Sequence, residues 1–189
     1  IDITGSGANT LTLDFQEVVN LSSTSNTLLV RRNADDTVNI GSGWTSGARQ
    51  KIDSVTYEIF QQGAATLGVQ DVTPPTVTVN IVDASLNDSD NASNVTFTFS
   101  EATADFVAGD LTIVGGTLGT ISGSGTSYNA TFTATDGVDQ TGSVTVNADS
   151  YTDAAGNTGA TGTDSITIDT LNPTGDIVDV TPDPRTTQA

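Results

Sequence analysis

The side chains of this sequence that could do chemistry are nearly all carboxylates. Asp and Glu together number 23 against 5 Lys and Arg, and there is no His and no Cys. Imidazole and thiol, the commonest general base and the readiest nucleophile, are therefore missing. Disulfides and zinc–thiolate sites are excluded on the same ground. A pair of carboxylates can serve a hydrolase, but here the acids fall in turn sequence with no aromatic cleft around them, and no enzymatic activity is expected. The acid is almost all Asp, with Glu17, Glu58 and Glu101 as the only glutamates. Asp favours turns and short loops, where it can present oxygen to a hard cation. Ca²⁺ accepts six to eight such oxygens in flexible geometry.

The acid is unevenly placed. Residues 1–71 hold eight acids against Arg31, Arg32, Arg49 and Lys51, whereas residues 72–189 hold fifteen against Arg185 alone, so most of the net charge of −18 lies in the second stretch. Such a field repels nucleic acid and anionic membrane, and neither is an expected partner. It also repels itself, which favours bound cations in the folded state. The sequence shows no signal peptide, apolar span or lipidation motif.

The elements that must position these acids are punctuated by one recurring stretch. Asp71-Val72-Thr73-Pro74-Pro75-Thr76 returns, loosened, as Asp169-Thr170-Leu171-Asn172-Pro173-Thr174. A fixed spacing of that kind marks an array of similar domains, and the prolines stiffen each crossing. The reading is a small unit over 1–70, a complete module over 71–170, and over 171–189 a linker and the start of another copy, as though cut from a longer array. In the first unit Phe15, Val18 and Val19 fall at helical spacing, with Asp14 placed to cap and Glu17 three residues on. Strands are expected at 27–31, 37–40, 55–60 and 66–70, and Asp35, Asp36 and Asp53 are read as surface turns. The fold class is all-β with one short helix.

Residues 76–170 alternate apolar and polar residues repeatedly, as in Val77, Val79 and Ile81 or Val95, Phe97 and Phe99. Further strands are expected at 111–114, 118–121, 128–134, 144–146 and 166–168. Seven short strands with turns between them are the pattern of an Ig-like β-sandwich, without the disulfide of antibody domains. Counting strand directions places the acids. The first strand leaves Asp71 and the second returns, so Glu101 ends beside the linker; the strand at 143–148 heads to the same pole, and Asp153 and Asn157 follow it. Asp71, Glu101, Asp153 and Asn157, with Asp105 or Asp110 as further ligands, would converge on one Ca²⁺ site. Asp88, Asp90 and Asp169 collect at the opposite pole as a second. Asp88-Ser89-Asp90-Asn91 is no EF-hand, because the sixth place lacks Gly and Phe99 stands where the closing Glu belongs.

The segments "DVTPPTVTVNIVD", "VTFTFSE", "DLTIVGG", "YTDAAGN" and "ITIDTLNPT", in that order over residues 71–189, resemble the bacterial Ig-like repeats of giant type I-secreted adhesins, which often carry RTX sequences. Residues 1–70 resemble, more weakly, a small module of the same proteins. The resemblance implies a secreted or cell-surface tandem spacer in a calcium-dependent adhesin serving cell adhesion or biofilm attachment. Neighbouring domains of the same chain would be its partners, and any glycan or surface ligand would be met through other domains. The RTX nonapeptide itself is absent from this sequence. In the mechanism that follows, crowded carboxylates push the domains apart until Ca²⁺ joins them. The alternative is a glycan-binding module in the first unit, around Trp44 with Tyr57 and Tyr151 as other aromatics; an exposed Trp44 would favour it and a buried one the spacer. Self-made isopeptide cross-links need Lys, which residues 72–189 lack.

Overall fold

Asp14 starts the one α-helix among the described residues, α1 (Phe15–Leu21), through a reciprocal cap: its Oδ1 accepts from Glu17 N at 2.8 Å, and Glu17 Oε2 accepts from Asp14 N at 2.8 Å. Two backbone donors that no helical turn could satisfy are thereby paired. The computed structural model describes residues 1–22 and 24–172. The expected repeat of the linker at 173–174 lies outside them, as does most of 171–189.

Around the helix lie β1 (Thr10–Thr12), β2 (Thr27–Val30), β3 (Thr37–Asn39), β4 (Thr45–Ser46), β5 (Gln50–Ile52), β6 (Val55–Gln62) and β7 (Ala65–Gln70). The main sheet runs β2-β7-β6-β4, with β5 also on β6, and β1 pairs with β3. Val18 of the helix packs against Leu28, Val30, Leu67 and Val69 of the sheet, forming one core with Leu13 and Ala65. The strands β4 and β5 were not anticipated. Between β5 and β6, Asp53 and Ser54 both take positive φ, at 51° and 68°, the conformation of a tight two-residue hairpin turn. Asp36 corrects the surface-turn reading: it is buried, and its carboxylate accepts from Asn9 N, Asn9 Nδ2 and Asn33 N at 2.8–3.0 Å.

A second core begins after the prolines. Its strands are β8 (Val77–Ile81), β9 (Ser85–Asn87), β10 (Ala92–Phe99), β11 (Leu111–Val114), β12 (Gly116–Leu118), β13 (Ser122–Ser124), β14 (Ser127–Ala134), β15 (Asp139–Val146) and β16 (Gly162–Asp169). One sheet runs β12-β14-β10-β8, with β13 on β14, and the other β11-β15-β16-β9. This is the Ig-like sandwich expected from the alternation. Val95, Phe97 and Phe99 lie beside Ala130 and Phe132 on their own sheet and pack against Val144, Val146, Ile166 and Ile168 of the other in one core. Asp164 stitches the sheets together where its Oδ2 accepts from Ile81 N at 2.8 Å.

Three details differ from the sequence reading: β13 was not expected, since its three residues are all exposed and none is apolar. The strand placed at 118–121 lies at Gly116–Leu118, because Gly116 is a strand residue and not a separator. A Cβ there would overlap the Thr133 carbonyl and approach the Phe132 ring at 2.6 Å, so only glycine lets β12 close on β14. The strand β9 was missed, since its single buried residue, Leu86, gives no alternation to detect.

Candidate cation site

Register fixes which ends meet. Phe99 of β10 pairs with Val77 of β8, so Glu101 emerges beside the linker that follows Asp71. The β15–β16 loop reaches the same pole: Ala160 N donates to Pro75 O at 2.9 Å, and Tyr151 OH donates to Ala160 O at 2.8 Å and Pro75 O at 3.3 Å. Beneath it Phe99, Phe106, Tyr128 and Tyr151 form an aromatic cluster, with Phe99 and Tyr151 edge-on at 5.1 Å. Phe99 precedes Glu101 by two residues and Tyr151 precedes Asp153 by two. Packed rings of this kind hold the two acid-bearing backbones in fixed relation.

One carboxylate oxygen from each of Asp71, Glu101 and Asp153 lies within 4.8 Å of the others. With Ca–O distances of 2.3–2.6 Å, oxygens that share an ion lie no further apart than roughly 5 Å, so the span fits a single coordination shell. It is the one group of three or more acidic residues so close among the described residues. Asp71 ends the first sheet, its N–H donating to Thr56 O at 3.0 Å. Its Oδ1 accepts from Thr73 N at 3.1 Å, while its Oδ2 is buried and receives no hydrogen bond. Asp153 is buried, with Oδ1 accepting from the Ala155 and Asn157 amides at 2.8 Å each.

Asn157 stands beside this set as a brace. Its Nδ2 donates to Asp153 Oδ2 at 2.9 Å and to Thr73 O at 3.2 Å, joining the loop to the linker. Asp105 and Asp110, the further ligands expected, lie outside the group of three and make hydrogen bonds of their own. Asp105 accepts from Thr152 N and Oγ1 at 2.7 and 3.0 Å, and Asp110 Oδ2 accepts from Val107 N at 2.8 Å to close a short 3₁₀ turn. At the opposite pole Asp88, Asp90 and Asp169 are exposed. Asn87 organises the turn there, its Oδ1 accepting from Ser89 N and Asp90 N at 2.9 and 3.1 Å. Asp169 lies opposite Asp139 on β15, and these acids are not drawn into one tight group.

Arg49, from the segment between β4 and β5, is the residue that sequence reasoning missed. Its Nε lies 3.1 Å from Asp71 Oδ2, its Nη2 lies 3.5 Å from Glu58, and its Nη1 pairs with Glu101. The hydrogen bond that it donates to Glu101 holds its pKa above the ordinary arginine value, partial burial opposes this, and the charges of Asp71, Glu101 and Glu58 reinforce it.

Residues 71–170 match the family model described as a bacterial Ig-like domain. The chain belongs to that family. No curated protein and no solved structure matches it. Among the described residues no helix is long and apolar enough to cross a membrane. In this bacterial Ig-like chain the aromatics are committed to cores: Tyr57 and Tyr151 are buried, and Trp44 is half-buried, 6.5 Å from the Phe15 ring with its indole nitrogen enclosed.

Proposed function

We propose that this chain is an extender segment of a large secreted bacterial surface adhesin, in which Ca²⁺ at the seam between two modules, 1–70 and 71–170, stiffens a tandem array. The observation that carries the reading is the Asp71 carboxylate: one of its oxygens lies within 4.8 Å of an oxygen from each of Glu101 and Asp153, and its Oδ2 is buried and accepts no hydrogen bond, with only the Arg49 Nε 3.1 Å away. A buried anionic oxygen without a hydrogen-bond donor is costly unless cations compensate it, and the ill-aligned Arg49 guanidinium does so only in part. Asp71 belongs to the linker, Glu101 to the end of β10 and Asp153 to the β15–β16 loop, so one ion would tie the linker to two points of the sandwich. Asn157 would orient Asp153 for that role.

Calcium bound only by the folded state also stabilises it, by about 2.7 kcal/mol at a hundredfold excess over Kd. Extracellular modules typically bind calcium at about 10⁻⁴ to 10⁻³ M, so the segment would remain unliganded at low internal calcium and load after export. Trp44, half-buried and 6.5 Å from the Phe15 ring, is neither the exposed platform that the glycan-binding alternative asks for nor fully buried. Small-angle scattering of residues 1–189, first with chelator and then with millimolar calcium, tests the stiffening. A narrower, more extended distance distribution with calcium is expected, and superimposable profiles would remove the mechanism.

A further inference from the structure

Cation ligation by three carboxylates gives no role to Arg49, yet its guanidinium contacts two of them. A divalent ion shared by Asp71, Glu101 and Asp153 would have to lie close to that positive charge, and like charges at such range repel strongly where water is partly excluded. Asp153 makes no ion pair with Arg49; its oxygens are held by its own loop. The Asp71 side chain is fully shielded from solvent and Glu101 nearly so, whereas Glu58 is partly exposed. The guanidinium thus has an accessible alternative partner on its own side of the seam.

We propose that Arg49 is a built-in competitor for the junction cation: resting on Asp71 and Glu101 it latches the seam without metal, and a divalent cation binds by driving it onto Glu58. This rests on the calcium reading above and adds the regulation of that site. The junction then passes between two ordered states, one closed by an arginine and one by an ion. Apparent calcium affinity is lowered in proportion to the fraction of molecules in which Arg49 has left the carboxylates. Arginine suits the task because its charge is permanent and its fork engages two carboxylates at once.

The test is calorimetric titration of calcium into the full chain, wild type beside Arg49→Gln, with the Arg49 Nε–H resonance followed by NMR in the wild type. Arg49→Gln should bind calcium about five- to tenfold more tightly, and saturating calcium should shift the Arg49 Nε–H signal and speed its exchange with water. Equal or weaker binding by Arg49→Gln, or an Nε–H signal unmoved at saturation, overturns the competition and leaves calcium binding standing. Absence of calcium binding in both proteins overturns the competition and the calcium site together.

Discussion

Arg49 Nε lies 3.1 Å from Asp71 Oδ2, yet that oxygen accepts no hydrogen bond. The N–H is near enough for charge attraction and too poorly aligned for more. Asp71 is therefore neutralised in part and left with an unused lone pair, in a position enclosed by the seam between the first sheet and the sandwich. Glu101 shares the same guanidinium from the sandwich side, so one arginine of the first unit bridges the linker and the second core.

Removing the Tyr151 hydroxyl should loosen the pole that carries the acids. Tyr151 is fully buried and its OH joins Ala160 O to Pro75 O. Tyr151→Phe keeps the ring in the aromatic cluster but deprives the Ala160 carbonyl of that donor. The expected loss is about 1–2 kcal/mol of stability, measured by urea denaturation.

Acid should weaken the first unit through Asp36. Its folded pKa is lowered below 3.8 by the N–H bonds from Asn33 and Asn9. A depressed carboxylate contributes stability that is fully present above the unfolded value and is lost as pH falls through the folded one. Asp36→Asn should flatten the stability profile of the first unit between about pH 4 and the acid limit, and should lower stability at neutral pH because an amide cannot accept at both former oxygens. Denaturation across a pH series, read on the first unit by NMR, checks the sign.

Gly116→Ala should be disproportionately damaging for so small a change. The added methyl would meet the Thr133 carbonyl and the Phe132 ring, neither of which can retreat from a packed sheet. The cost of such overpacking is about 1–3 kcal/mol, to be read as a lowered melting temperature.

Much of this was legible in the sequence, for physical reasons that also mark where legibility ended. Asp14 and Glu17 announced the helix because a cap is a local device, complete within four residues. The alternation at 77–81 and 95–99 gave strand direction, and direction alone placed Glu101 and the 153–157 loop at the pole of Asp71. Arg49 carried no such signal. Its partner Glu101 is 52 residues away, and their meeting depends on how the first sheet packs against the sandwich. Asp36 was read as exposed because turn sequence looks polar whether or not Asn9 folds over it. The strand β9 was too short, and Gly116 too readily taken for a break, for pattern alone to place either.

The proposed calcium ion, held by Asp71, Glu101 and Asp153, would be bound only by the folded junction. Thermal unfolding of the whole chain, in chelator and at millimolar calcium, tests it most directly when wild type is run beside Asp71→Asn, which preserves the Thr73 bond and removes one charge. The account predicts a melting temperature that rises with calcium in the wild type and rises much less in Asp71→Asn. A wild-type melting temperature identical in chelator and calcium would contradict it.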